Sequence, residues 1–315
     1  MTIDLGNVIT AMVTPFKADK KLSVDLDGAE LLANKLLKHG TDTLLLTGST
    51  GEDAQLSPEE KWAIVERIRR YAPQNAKIMV STGDTNTNRA IAKTCRAFEL
   101  GADVALVAVP EYIKPTQKAM IVHFSAISKA ANNKPIMIYN IPGRTSAEML
   151  PETVAYLASE NTNIIGIKQS CGNLDRVSEM KAHPLLPKDF KIYSGDDSLT
   201  LPMLALGAKG VISVASHLQA PQIQRMIQEF KKGNVEQALQ IHNYLFPLFR
   251  GLFIETNPLP IKEALYQKGL IDSPVLRTLG RMDSDHRTQL TRILRAIESS
   301  DKRKMFSFKN SKQIS

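Results

Sequence analysis

The chain predicts an α/β fold, a (β/α)8 TIM barrel carrying a C-terminal helical appendage. Two observations give the barrel and a third gives the appendage. Short runs rich in β-branched residues alternate with stretches of helical period, the pattern of parallel strands joined by crossover helices. Eight such runs can be counted, and the count favours a closed barrel over an open doubly wound sheet. Beyond the eighth run the sequence offers helical patterns alone.

The strands begin near Val8, Thr43, Lys77, Val104, Pro135, Ile164, Lys191 and Gly210, each followed by a segment that can form a helix. Three helix-to-strand joints look alike: Lys38-His39-Gly40-Thr41-Asp42, Glu99-Leu100-Gly101-Ala102-Asp103 and Leu206-Gly207-Ala208-Lys209-Gly210. In each, a glycine supplies the left-handed residue that ends a helix before the next strand opens. After Val214, helices are expected over 220–231, 235–249, 259–268 and 286–297. No Ser/Gly-rich linker separates them from the barrel, so they should pack on it. The expected organisation is a catalytic barrel over 1–218, a packed helical region over 219–298 and a basic, flexible tail over 299–315.

With 315 residues, 43% of them hydrophobic, the chain can bury a substantial core. The longest apolar run, at 104–109, is far short of a membrane span, and Met1-Thr2-Ile3-Asp4 lacks the basic start of a signal peptide. A soluble, cytoplasmic protein with no membrane partner is expected. Only Cys95 and Cys171 are present, which argues against a disulfide framework. Cys171 follows Lys168 closely but has no evident base partner to make it a nucleophile. The net charge is +8, of which Lys302, Arg303, Lys304, Lys309 and Lys312 against Asp301 place +4 in the last fifteen residues. With no basic helix interleaved with aromatics and no zinc spacing, neither nucleic acid nor a metal is expected as a partner.

In such a barrel the site is built at the carboxyl ends of the strands. The sixth run, Ile164-Ile165-Gly166-Ile167, finishes on Lys168. An ammonium there is costly to desolvate, and a free amine there can attack a ketone to form a Schiff base; the plainer alternative is a lysine that snorkels out to water. The second run leads into Gly48-Ser49-Thr50-Gly51-Glu52, whose glycines and hydroxyls can hold a carboxylate, or which is an ordinary turn. The fifth run ends at Tyr139, followed by Asn140-Ile141-Pro142-Gly143-Arg144-Thr145: a phenol for proton transfer and an arginine for clamping a carboxylate. The fourth run ends at Pro110-Glu111-Tyr112-Ile113-Lys114-Pro115, where Tyr112 can face the cavity, a subunit interface or solvent. The seventh ends at Ser194-Gly195-Asp196-Asp197, with Asp197 read as a helix N-cap before a ligand.

Together these segments, with Glu255-Thr256-Asn257-Pro258, resemble the dihydrodipicolinate synthases in order and spacing over roughly residues 5–295. That family belongs to the pyruvate-dependent class I aldolases, together with the N-acetylneuraminate lyases. The resemblance implies that Lys168 forms an imine with pyruvate, that Tyr139 shuttles protons at the imine carbon, and that Thr50 and Tyr112 complete a hydroxyl relay. Tyr112 would act across a dimer interface within a homotetramer. Ser49 and Thr50 would hold the pyruvate carboxylate, Gly195 and Ile212 would line the pocket through their backbones, and Arg144 would bind the carboxylate of aspartate semialdehyde. No organic cofactor or metal is implied.

Arg144 favours an anionic aldehyde, since two carboxylated substrates need two anion sites. The alternatives left open are a related aldolase of the N-acetylneuraminate lyase or keto-deoxy-sugar type, and a barrel that binds without catalysing. Compared with family members inhibited by lysine, Glu111 replaces a tyrosine, and Pro58, Lys61, Thr85 and Arg89 replace the usual histidines, asparagine and glutamate. Cationic Lys61 and Arg89 would oppose a lysine ligand, so weak or absent inhibition is expected.

Overall fold

The structure, a computed structural model, describes the backbone of residues 3–311 and the side chains up to residue 299. The eight runs are eight parallel strands: β1 Val8–Ala11, β2 Thr43–Leu46, β3 Lys77–Ser81, β4 Val104–Ala108, β5 Ile136–Asn140, β6 Ile164–Gln169, β7 Lys191–Ser194 and β8 Gly210–Ser213. They pair in sequence order, and β8 returns to β1 to close the barrel. Helices cover the outside and side chains fill the inside, so the strands read as near-continuous apolar runs instead of alternating ones. Ile9, Leu45, Met79, Leu106, Met137 and Ile212 form the interior layer, all but sealed from solvent. Each such side chain contributes about 1.5–3 kcal/mol by leaving water. Tyr193 is fully buried on β7 and donates a 2.8 Å hydrogen bond to the carbonyl of Gly6, just before β1 begins.

The repeated joints behave as the sequence predicts. Gly40, Gly101 and Gly207 have φ of 94°, 88° and 87°, a region where a side chain would strain the backbone. Helix starts are capped as their residues suggest. Ser57 and Glu60 form a reciprocal capping box, and Asn86 and Thr116 each accept a backbone N–H from the first turn.

Four helices follow β8: Ser216–Lys231, Val235–Gly251, Leu259–Gln267 and Ser284–Ser311. The first runs across residue 218 and packs against β1 and β8, as the outer helix that completes the barrel. It breaks at Gln219 (φ −137°, ψ 29°), two residues before Pro221, whose ring disfavours helical geometry in the residues ahead of it. Val235–Gly251 packs on that helix, and the final helix packs on both Val235–Gly251 and Leu259–Gln267. The final helix continues into the basic segment through Ser311; the side chains of that segment and residues 312–315 lie outside the described residues. Among the described residues no helix is long and apolar enough to cross a membrane.

Candidate active site

Parallel pairing of β5 and β6 puts Tyr139 directly beside Lys168, at the carboxyl ends of both strands. The Lys168 Nζ lies 4.2 Å from the centroid of the Tyr139 ring, within cation–π range, and the lysine is only 5% exposed. It does not snorkel out. The next strand end makes room for it: a Cβ on Gly195 would fall 1.7 Å from Ser170 Oγ and 2.9 Å from Lys168 Cε. Asp196 and Asp197 follow. Burial pushes both carboxyls above their usual range, with the charge of Lys168 drawing them partly back.

The loop after β2 is held from several sides. Thr47 and Glu52 flank it with left-handed φ of 49° and 58°, unusual for residues with side chains. Thr14 Oγ1 donates to the carbonyl of Gly51 at 2.6 Å. Asn257 Nδ2 donates to Thr50 Oγ1 at 2.9 Å, fixing the buried hydroxyl. Glu52 turns inward and meets Lys262 at 2.7 Å, with side chains 2% and 0% exposed. Burial pushes the Glu52 carboxyl up and the Lys262 amine down, while each partner restrains the other. The Lys262 ammonium also lies 4.0 Å from the centroid of Phe16.

A cavity of about 440 Å3 opens over these strand ends, with Ser49, Tyr139 and Arg144 in its wall. Asp84, Arg89 and Glu111 line its far side. A second cavity of about 440 Å3 shares Ser49 and Arg144 and reaches Asn257. Arg144 sits on the short helix Pro142–Thr145, where its Nη2 donates to the carbonyl of Asn257 at 3.0 Å. One N–H face of the guanidinium is thereby anchored, which leaves its remaining donors for an anion.

Lys168, Tyr139, Thr50, Ser49, Gly195 and Arg144 thus converge on one end of the barrel. Two named residues differ. Ile212 is fully buried in the interior layer, and neither it nor Lys168, Thr50 or Gly195 is among the residues that line either cavity. Tyr112 is 89% exposed, with a left-handed φ of 67°, and within one chain it does not join the site.

Two further expectations, for Asp197 and for the wall of Lys61 and Arg89, are corrected, while Cys171 is as unsuited to nucleophilic chemistry as the sequence suggests. Asp197 is not a helix cap: its carboxylate accepts from Ser213 Oγ and, at 3.0 Å each, from the backbone N–H groups of Val214 and Ala215, so it fastens the end of β8. Burial raises the Cys171 thiol, and its sulfur takes a hydrogen bond from Gln169, the setting of an inert thiol. The cationic wall expected from Lys61 and Arg89 is partly neutralised, because Lys61 pairs with Asp53 at 2.6 Å and Arg89 shares Asp84 with Lys93, at 2.8 Å each. Two supporting residues, Asn257 and Lys262, carry no signal in the sequence that assigns them these contacts. Both partners lie more than 200 residues from the loop they hold.

Chemically this geometry suits a barrel lyase that works through a lysine Schiff base, since a confined amine lies against a phenol that shares one opening with two anion-binding elements. The comparisons agree with that class. The model of the dihydrodipicolinate synthetase family matches residues 4–297. A 4-hydroxy-tetrahydrodipicolinate synthase of Nostoc punctiforme is 49% identical over 266 residues, covering 84% of this chain and 89% of that one. The crystal structure of the synthase from Cyanidioschyzon merolae with lysine bound superposes with a TM-score of 0.90 at 39% identity, covering 93% and 98% of the two chains. That of the chloride-inhibited enzyme from Acinetobacter baumannii complexed with pyruvate gives 0.88 at 33% identity, covering 94% and 99%. The chain belongs to the dihydrodipicolinate synthetase family.

Proposed function

We propose that the chain condenses pyruvate with L-aspartate 4-semialdehyde to give 4-hydroxy-tetrahydrodipicolinate, on the route to diaminopimelate and lysine. The identity to synthases of that name supports the reaction. The observation that carries the mechanism is the Lys168 amine confined against the Tyr139 ring. The amine adds to the ketone of pyruvate and expels water to form an imine. The methyl group then loses a proton, and the resulting enamine attacks the aldehyde carbon. The iminium is the electron sink, so the chemistry requires neither metal nor organic cofactor.

Tyr139 and Thr50 are the proton carriers in this reading, with Tyr112 supplied by a neighbouring subunit. Its exposure and left-handed backbone in the single chain favour a role completed by association, and a homotetramer of tight dimers would provide it. Ser49 and Thr50 receive the pyruvate carboxylate, and Arg144 receives that of the aldehyde. Gly195 lines the pocket and leaves the lysine its space, and Ile212 contributes through its backbone. The enzyme would work in the cytoplasm.

The test is borohydride reduction in the presence of pyruvate, followed by peptide mass mapping. One reduced pyruvyl adduct on Lys168 is expected, and Lys168→Ala should lose both adduct and turnover. An adduct on another lysine, or normal turnover in the variant, would overturn the mechanism.

A further inference from the structure

Asn257 touches both halves of the site. Its side chain donates to Thr50 Oγ1 at 2.9 Å, and its carbonyl accepts from Arg144 Nη2 at 3.0 Å. It is 6% exposed, and its Oδ1 is buried without a hydrogen-bond partner. Its own segment is held in place by the Lys262–Glu52 pair five residues further on, so it is a rigid prop under the loop and not a mobile neighbour.

The direction of the bond to Thr50 matters. A hydroxyl has one proton to give and two lone pairs to receive with. When Asn257 donates, the Thr50 proton stays free for another acceptor in the site. In the reverse amide orientation, Oδ1 would take that proton into the scaffold and Thr50 could no longer pass it on. We infer that Asn257 is a positioning residue: it sets the polarity of the Thr50 hydroxyl in the proton relay while fixing Arg144 against the same peptide. This rests on the Schiff-base reading above.

A double-mutant cycle tests it. Pyruvate methyl-proton exchange into deuterium oxide at saturating pyruvate reports enamine formation, and borohydride trapping reports the imine. Trapping on Lys168 in the unaltered protein confirms the underlying mechanism, so its absence there would sink that reading separately. Asn257→Ala and Asn257→Asp should both trap normally but exchange about tenfold or more slowly, the exchange being followed upward in pH until the introduced aspartate is ionised, because an ionised Asp can only accept from Thr50. Thr50→Val should slow exchange at least as much, and Thr50→Val combined with Asn257→Ala should be no slower than Thr50→Val alone. Exchange near the unaltered rate in Asn257→Asp, or effects that multiply in the double variant, would overturn the assignment.

Discussion

Two loops at the carboxyl end of the barrel carry the hydroxyls of the proposed relay, and they are built in opposite ways. The loop after β2 is finished within its own chain. Thr50 is buried and hydrogen-bonded, and Glu52 is sunk onto a lysine with no exposure at all. The segment after β4 is not. Tyr112 and Ile113 are 89% and 55% exposed, and Tyr112 and Lys114 both hold left-handed backbone without a buried anchor for the phenol. The contrast lies in burial and not in strain, since both loops hold left-handed backbone: the wall after β2 is tied down by its own chain, whereas the segment after β4 leaves its phenol in solvent.

The largest effect should come from cutting the inner anchor. Lys262→Met leaves Glu52 buried without its cation, which costs about 3–5 kcal/mol. Urea unfolding should show it as a lower midpoint with an unchanged slope, and a loss under about 1 kcal/mol would break the contrast between the loops.

The next concerns His217, also inside the chain's own framework. Its Nε2 accepts from the backbone N–H of Val13 at 3.1 Å and its Nδ1–H donates to the carbonyl of Val214 at 2.8 Å, so it ties the ends of β1 and β8 as a neutral ring. Burial brings its pKa down to about 4. The unfolded chain takes up that proton at about pH 6.5, so the stabilisation is complete above that pH and disappears as pH falls through about 4. The loss amounts to about 3 kcal/mol. His217→Gln should flatten the stability profile over this window, and an unaltered slope would show that other groups set it.

Tyr112→Phe should leave stability within about 0.5 kcal/mol while slowing turnover by about a hundredfold. Sharper still, specific activity of the unaltered protein should rise with protein concentration as subunits associate. Activity independent of concentration down to a demonstrated monomer would remove Tyr112 from the relay.

The smallest effect should be that of lysine. With Lys61 and Arg89 already paired to Asp53 and Asp84, the pocket retains donors but offers a cationic ligand no free carboxylate from those pairs. Millimolar lysine should leave the initial rate essentially unchanged, and clear inhibition at neutral pH would refute this.

The sequence made the barrel legible because its strands are buried on both faces, so each one appears as a compact apolar run. Lys168 and Tyr139 were legible for a related reason: both end such runs, and parallel pairing of consecutive strands brings consecutive ends together. Asn257 and Lys262 were not, because their partners depend on how the appendage closes over the barrel, and a lysine in a helical pattern ordinarily reads as a surface residue. Asp197 misled for a similar reason. An aspartate ahead of a helix is commonly its cap, and only the three-dimensional closure of the barrel shows it serving the next strand instead. The sequence could not show which way Tyr112 faces, since a tyrosine in a loop between two prolines fits a cavity wall, an interface or solvent equally well, and within one chain it faces solvent.

The contacts between Asn257 and Thr50 and between Lys262 and Glu52 span 207 and 210 residues. During synthesis the β2 loop therefore emerges long before the residues that steady it. At about 5–20 residues per second, it waits on the order of ten to forty seconds for them. Through that interval a glutamate destined for the interior stays hydrated and the hydroxyl beside it has no prop. A ribosome-bound chain that stops short of Asn257 and Lys262 would carry Lys168, Tyr139 and Thr50 and still lack the two contacts that steady the β2 loop.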